Sequence, residues 1–192
     1  MKTAIVLGCG PSAKLFTHNP LLQQYYKNAA IFGVNDIWKW YPAPHLLVLD
    51  GEEKFSPERR QIILNSKPQH LYLWTLEKWP AMPNREYLGP ITDFTGDLTV
   101  PHLQKPEIIS STWVAAQCAW LKGYRRIVLF GADYTQHPEL GENVHKIIKG
   151  YQKLERAMRK AGGELLIGKF SCTALQGNIP QADCYVYKPV NK

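Results

Sequence analysis

The sequence predicts an α/β fold: a single Rossmann-like, doubly wound, mainly parallel sheet with helices on both faces. Three observations carry this. Short apolar runs recur at 4–7, 30–34, 46–49, 71–76, 127–130 and 165–167, several of them continuous rather than alternating, as in strands buried on both faces. Helical patterns lie between the runs. The first run ends at a glycine pair and turns through Pro-Ser into a polar segment, the form of a strand-to-helix turn in nucleotide-binding domains.

Taken in order, the first run hands over at Gly8, Cys9, Gly10, Pro11 and Ser12 to a short helix after Pro11, which Asn19-Pro20 cuts short. The runs at 30–34 and 46–49 follow, then a helix around 57–65 opened by Pro57, and the run at 71–76. Residues 77–107 carry five prolines and no sustained period, so an irregular insertion is expected there, either a substrate-binding excursion or a packed loop. Ser110, Ser111 and Thr112 precede Val114-Ala115-Ala116 and start a helix that runs to about 122. A further helix spans 143–161, where Val144, Ile147, Ile148, Tyr151, Leu154, Met158 and Ala161 recur at three- and four-residue steps and Gly162-Gly163 ends the pattern. Residues 1–192 are read as one domain.

Composition narrows the function. With 45% apolar and 20% charged residues the chain is an ordinary globular protein. No run approaches the ~20 apolar residues of a membrane span and no signal peptide is visible, so a cytoplasmic location is expected, with no transmembrane segment. Cys9, Cys118, Cys172 and Cys184 are far apart and read as free thiols, with Cys118 in the core. The net charge of +7 suits phosphate-bearing ligands or a polyanion, and Lys146, Lys149, Lys153, Arg156, Arg159 and Lys160 lie on the polar side of one helix, where a solvated face is the simpler reading. The oligomeric state is not set by the sequence.

Ligands of an open parallel sheet gather beyond the carboxyl ends of its strands. Those ends carry Gly8 to Ser12, Asn35-Asp36, Asp50-Gly51-Glu52, Gly131 to Gln136 with Asp133 and Thr135, and Ser171 to Thr173. Glycines at 8 and 10 let a backbone approach a ligand that a Cβ would exclude, and a helix start favours an anion such as a nucleotide phosphate. The hydroxyls of Ser110 and Ser111 mark a second helix start of that kind. An Asx turn or a helix cap is the structural alternative for Asp50 and Asp133. His145 falls in the first turn of the 143–161 helix, about 140° from the centre of its apolar stripe, so it is reachable and can accept a proton as a neutral ring. No histidine spacing matches a metal site.

Gly-x-Gly-Pro-Ser after the first strand, Asn35 after the second, and Ile109-Ser110-Ser111 with residues 119–133 together resemble the bacterial sialyltransferases of the Campylobacter lipooligosaccharide type. The resemblance implies a Rossmann-like fold and a metal-independent transfer of a sugar from a nucleotide-activated donor to a glycan or other hydroxyl acceptor, with no cofactor beyond that co-substrate. It implies a donor-phosphate turn at Gly8, Gly10, Pro11 and Ser12, donor contacts at Asn35 and Ser111, and a general base at His145, with Leu154-Glu155 at the family's spacing. Cys9 replaces the family's asparagine and Thr135 its tyrosine.

Three other readings stand beside this one. The chain also resembles the archaeal pterin pyrophosphokinase-like family in Gly-x-Gly-Pro-Ser and Asp50-Gly51, which implies ATP and magnesium held by carboxylates such as Asp50. Gly8-x-Gly10-x-x-Ala13 with Asp36 comes close to the dinucleotide fingerprint of an oxidoreductase. A basic chain rich in tryptophan and tyrosine also suits a nucleic-acid partner.

Overall fold

The computed structural model describes residues 1–73, 79–80, 85–87, 110–135, 143–169, 171 and 173–183. Seven strands form one sheet: β1 (Thr3–Leu7), β2 (Ala30–Val34), β3 (His45–Val48), β4 (His70–Leu73), β5 (Arg85–Tyr87), β6 (Arg126–Phe130) and β7 (Glu164–Ile167). Their order is β5-β4-β3-β2-β1-β6-β7 and every pairing is parallel. The helices are α1 (Ala13–Thr17), α2 (Pro20–Tyr25), α3 (Pro57–Asn65), α4 (Ser111–Leu121) and α5 (Val144–Lys160).

Strands β1 to β4, β6 and β7 send alternate side chains to two apolar layers. Ala4, Val6, Phe32, Val34, Ile127 and Leu129 pack with α4 and α5 on one face. Ile5, Leu7, Ile31, Leu46, Val128 and Phe130 pack with α1, α2 and α3 on the other. Burying both faces is why these strands read as continuous apolar runs, and it establishes the doubly wound α/β class. α4 is buried from Thr112 to Trp120, Cys118 included, so its sequence is apolar on every side except at Thr112 and Gln117.

Two elements depart from the sequence expectation. Asn19-Pro20 stops α1 but also starts α2: the Asn19 side chain caps the Leu22 N–H and proline takes the first helical position, where no donor is needed. Within the expected irregular insertion at 77–107, residues 85–87 form an edge strand whose register pairs Leu71 with Arg85. Prolines on either side hid a three-residue strand from any periodicity test. Most of 77–107 lies outside the described residues, as do 74–76, Gln136, Cys172 and Cys184.

Candidate functional site

The strand order reverses between β1 and β6: the chain steps outward from β1 to β5, then returns to the other side of β1. In parallel sheets this is where a crevice opens at the carboxyl edge. The segments leaving the two strands meet there. The Gly8 N–H donates to the Phe130 carbonyl at 2.7 Å and the Gly10 N–H to the Gly131 carbonyl at 3.0 Å. A Cβ on Gly8 would lie 2.3 Å from the Gly131 oxygen, and Gly131 itself holds φ +75°. The close approach that the sequence suggests for a ligand is here made by the chain's own second loop.

Ser12 ties the two loops. Its backbone N–H donates to Asp133 Oδ2 at 2.7 Å, its hydroxyl donates to Asp133 Oδ1, and the Gly131 N–H donates to Ser12 Oγ at 2.9 Å. Burial raises the Asp133 carboxyl above its ordinary value, and the two bonds from Ser12 offset this only in part. Asp133 and Ser12 are both buried, so the anion nearest this turn is the chain's own carboxylate. Pro11 is exposed and Gly10 half-buried beside it.

On the opposite side of β2's end, Asn35 holds a left-handed backbone, φ 51°, and reaches α4. Its Nδ2 lies 3.5 Å from Ser111 Oγ, while its Oδ1 is buried with no hydrogen-bond partner. Ser110 is the N-cap of α4, accepting from the Trp113 N–H at 3.3 Å. Behind it four hydroxyls interlock: Tyr134 donates to Ser110 at 2.7 Å, Thr112 lies 2.6 Å from Tyr134 and 2.7 Å from Tyr151, and the two phenols are 3.0 Å apart. Burial raises both phenols above their ordinary value, Tyr151 the more, so they remain protonated donors at neutral pH. The network fixes the amino end of α4 against α5.

Asp36 turns away from that site. It is fully buried and held by Arg59 at 2.8 Å and Lys39 at 2.8 Å. Burial alone would raise this carboxyl, but the two cations outweigh it and hold it below the usual carboxylate range. An aspartate so engaged is not available to a ribose hydroxyl, which removes the acidic partner from the dinucleotide fingerprint. The Cys9 Sγ lies 3.2 Å from the Val34 carbonyl and 3.6 Å from Asp36. Burial, then the Asp36 charge, push this thiol up to about 12.

Asp50 is exposed, and its backbone carbonyl accepts from Trp79 Nε1 at 2.9 Å. Glu52 pairs with Arg60 at 2.8 Å, and among the described residues no group of three or more His, Cys, Asp or Glu side chains converges as a metal site would. Thr135 is exposed at the end of the β6 loop. His145 is exposed in the first turn of α5, six residues before Tyr151, or about 9 Å along the helix from the hydroxyl network. Asn35, Ser110 and Ser111 are thus brought together, Ser12 and Asp133 are bound to each other, and Asp36 and Asp50 stand apart. A separate cavity of ≈ 410 Å³ lies at the amino edge, lined by Lys2, Thr3, Tyr26 and Tyr124 among others, away from all of these groups.

Sequence reasoning placed Tyr134 at a strand end and Tyr151 in the core face of α5 but missed the pairing of their hydroxyls. Tyr151 sits in the apolar stripe of α5 and counts as core, and the signal that it does more is its phenol, which a buried position must pair.

The architecture is close to solved structures. CstII from Campylobacter jejuni, in complex with cytidine-5'-monophosphate, superposes with a TM-score of 0.59 at 16% identity, covering 97% of this chain and 87% of that one. The fold is sialyltransferase-like. A CST-II structure with a trisaccharide acceptor and CMP gives 0.57 at 15% identity, over 95% of this chain and 86% of that one. The monofunctional α-2,3-sialyltransferase Cst-I from Campylobacter jejuni gives 0.55 at 14% identity, over 95% and 81%. No family model matches the sequence, and no curated protein matches it at a significant level. The sialyltransferase-like fold therefore spans nearly the whole chain at an identity that speaks for architecture alone. No helix among the described residues is long and apolar enough to cross a membrane.

Proposed function

We propose that the chain is a glycosyltransferase-like enzyme that takes a sugar from a nucleotide-activated donor, with cytidine monophosphate as the carrier seen in the similar structures, and passes it to an acceptor hydroxyl. The observation that carries this reading is Asn35. A buried amide oxygen without a partner is costly unless a ligand donor meets it, and this one sits beside Ser111 at the amino end of an eleven-residue helix, at the carboxyl end of the strand next to β1.

In this reading the donor phosphate faces the first turn of α4, where free N–H groups and the helix dipole favour negative charge. The Gly8–Ser12 turn, its own donors engaged by the β6 loop, forms the wall beside it. His145 takes the acceptor's hydroxyl proton as that oxygen bonds to the anomeric carbon, and the bond from that carbon to the phosphate oxygen breaks with its electron pair leaving on the nucleotide. The developing phosphate charge faces the α4 N-terminus and the protonated hydroxyls around it. Turnover needs no metal.

The test is calorimetric titration with CMP, with and without magnesium, followed by transfer from a CMP-sugar. CMP binds without magnesium, and His145→Ala keeps that binding while losing transfer. Absence of CMP binding, or full turnover by His145→Ala, overturns the assignment.

A further inference from the structure

α5 carries six cations, Lys146, Lys149, Lys153, Arg156, Arg159 and Lys160, against one carboxylate, Glu155. Glu155 is buried and holds Arg159 at 3.3 Å, which removes that pair from the balance. By the 3.6-residue period, Lys149, Lys153, Arg156 and Lys160 fall inside an arc of about 60° along about 16 Å of the helix. All four are exposed. The Arg156 Nε donates to the Gln152 carbonyl at 3.2 Å, laying its guanidinium along the helix surface. No carboxylate of α5 lies in the arc.

Two features select the partner. The apolar face of α5, with Ile147, Tyr151, Leu154 and Met158, is buried in the protein core, so the helix has no apolar face to insert into a bilayer. The charge forms a narrow line, which matches a polymer whose charges also run in a line; a flat anionic surface engages a broad patch. No aromatic side chain stands in the arc to stack on a base, so contacts are to phosphates and carry no sequence preference.

We propose that this stripe docks the phosphate backbone of double-stranded nucleic acid. The inference goes beyond the transfer reading and stands without it. The amino end of α5, with His145, lies at the same sheet edge as the Asn35 site, so a duplex on the stripe extends toward that edge.

The test is fluorescence anisotropy with a labelled 20-bp DNA duplex of arbitrary sequence, titrated between 50 and 200 mM salt. Four phosphate contacts give a slope of log K against log salt of about −3.6. Lys149→Gln with Lys153→Gln halves that slope, and adding Arg156→Gln and Lys160→Gln brings it near zero. A control with the same loss of charge elsewhere, Lys2, Lys27, Lys54 and Lys67 each changed to Gln, keeps it near −3.6. A slope unchanged in the stripe variants, an equal loss in the control, or binding to phosphatidylserine vesicles with none to the duplex overturns the proposal. The paired variant keeps the test decisive should the fourfold change impair folding.

Discussion

The carboxylate of Asp133 receives both the backbone N–H and the hydroxyl of Ser12, a residue 121 positions away in the chain. One side chain thereby clamps the loop after β1 to the loop after β6. Ser12→Ala removes the hydroxyl and leaves a buried carboxylate with one donor fewer, at a cost of about 1–3 kcal/mol near pH 7. Asp133 has a raised value in the folded state, so its ionised form is the disfavoured one, and stability falls as pH climbs from its ordinary 3.8 through the folded value. The Ser12→Ala penalty is therefore smaller at pH 4 than at pH 7. Urea denaturation at the two pH values measures the difference.

Asn35 offers a separation of binding from stability. Its φ of 51° suits glycine better than alanine, so Asn35→Gly keeps the fold without strain while Asn35→Ala destabilises it. Both lose CMP affinity, by about tenfold for one lost hydrogen bond. Thermal unfolding and calorimetric titration of the two variants, side by side, show whether affinity follows the amide or the strain.

Asp36 gives the acid limb of the stability curve. Its folded value is lowered, so its contribution is present above the unfolded value near 3.8 and is lost as pH falls through the folded one. Asp36→Asn costs about 1–3 kcal/mol at pH 7, because Arg59 and Lys39 lose a charged acceptor, and it flattens the loss of stability on acidification. Denaturant midpoints of both proteins from pH 7 to pH 3 converge.

Cys9 is inert in the folded protein. With its thiol pushed up to about 12, the thiolate fraction at pH 8 is on the order of one in ten thousand. Thiol-specific reagents label it at the rate of unfolding, so labelling followed by mass spectrometry accelerates in urea in step with the loss of structure.

How much of this was legible follows from what each residue leaves in the sequence. β1, β2 and β6 show as runs because both faces of the sheet are covered, and α5 shows because one side of it is not. β5 leaves no period in three residues. Asn35 reads as a strand end and Ser111 as a helix start, and only the family resemblance joins the two as donor contacts. The destination of a polar side chain did not follow: β2 sends Phe32 and Val34 toward α4, so alternation would send Asn35 toward α3 and Asp36 toward α4, but the left-handed backbone at Asn35, φ 51°, breaks that alternation, and Asn35 meets Ser111 while Asp36 meets Arg59. The clamp between Ser12 and Asp133 was equally invisible, being set by a pairing of loops that no local pattern encodes.

The position of β1 in the middle of the sheet also bears on how the molecule comes into being. Thr3 pairs with Arg126, so during synthesis β1 keeps one edge of unpaired N–H and C=O groups until β6 has left the ribosome. Long-range parallel pairing of this kind closes slowly. The nascent chain is thus most prone to aggregation just before its sixth strand arrives, and a chaperone that shields the amino-terminal residues has its greatest effect in that interval.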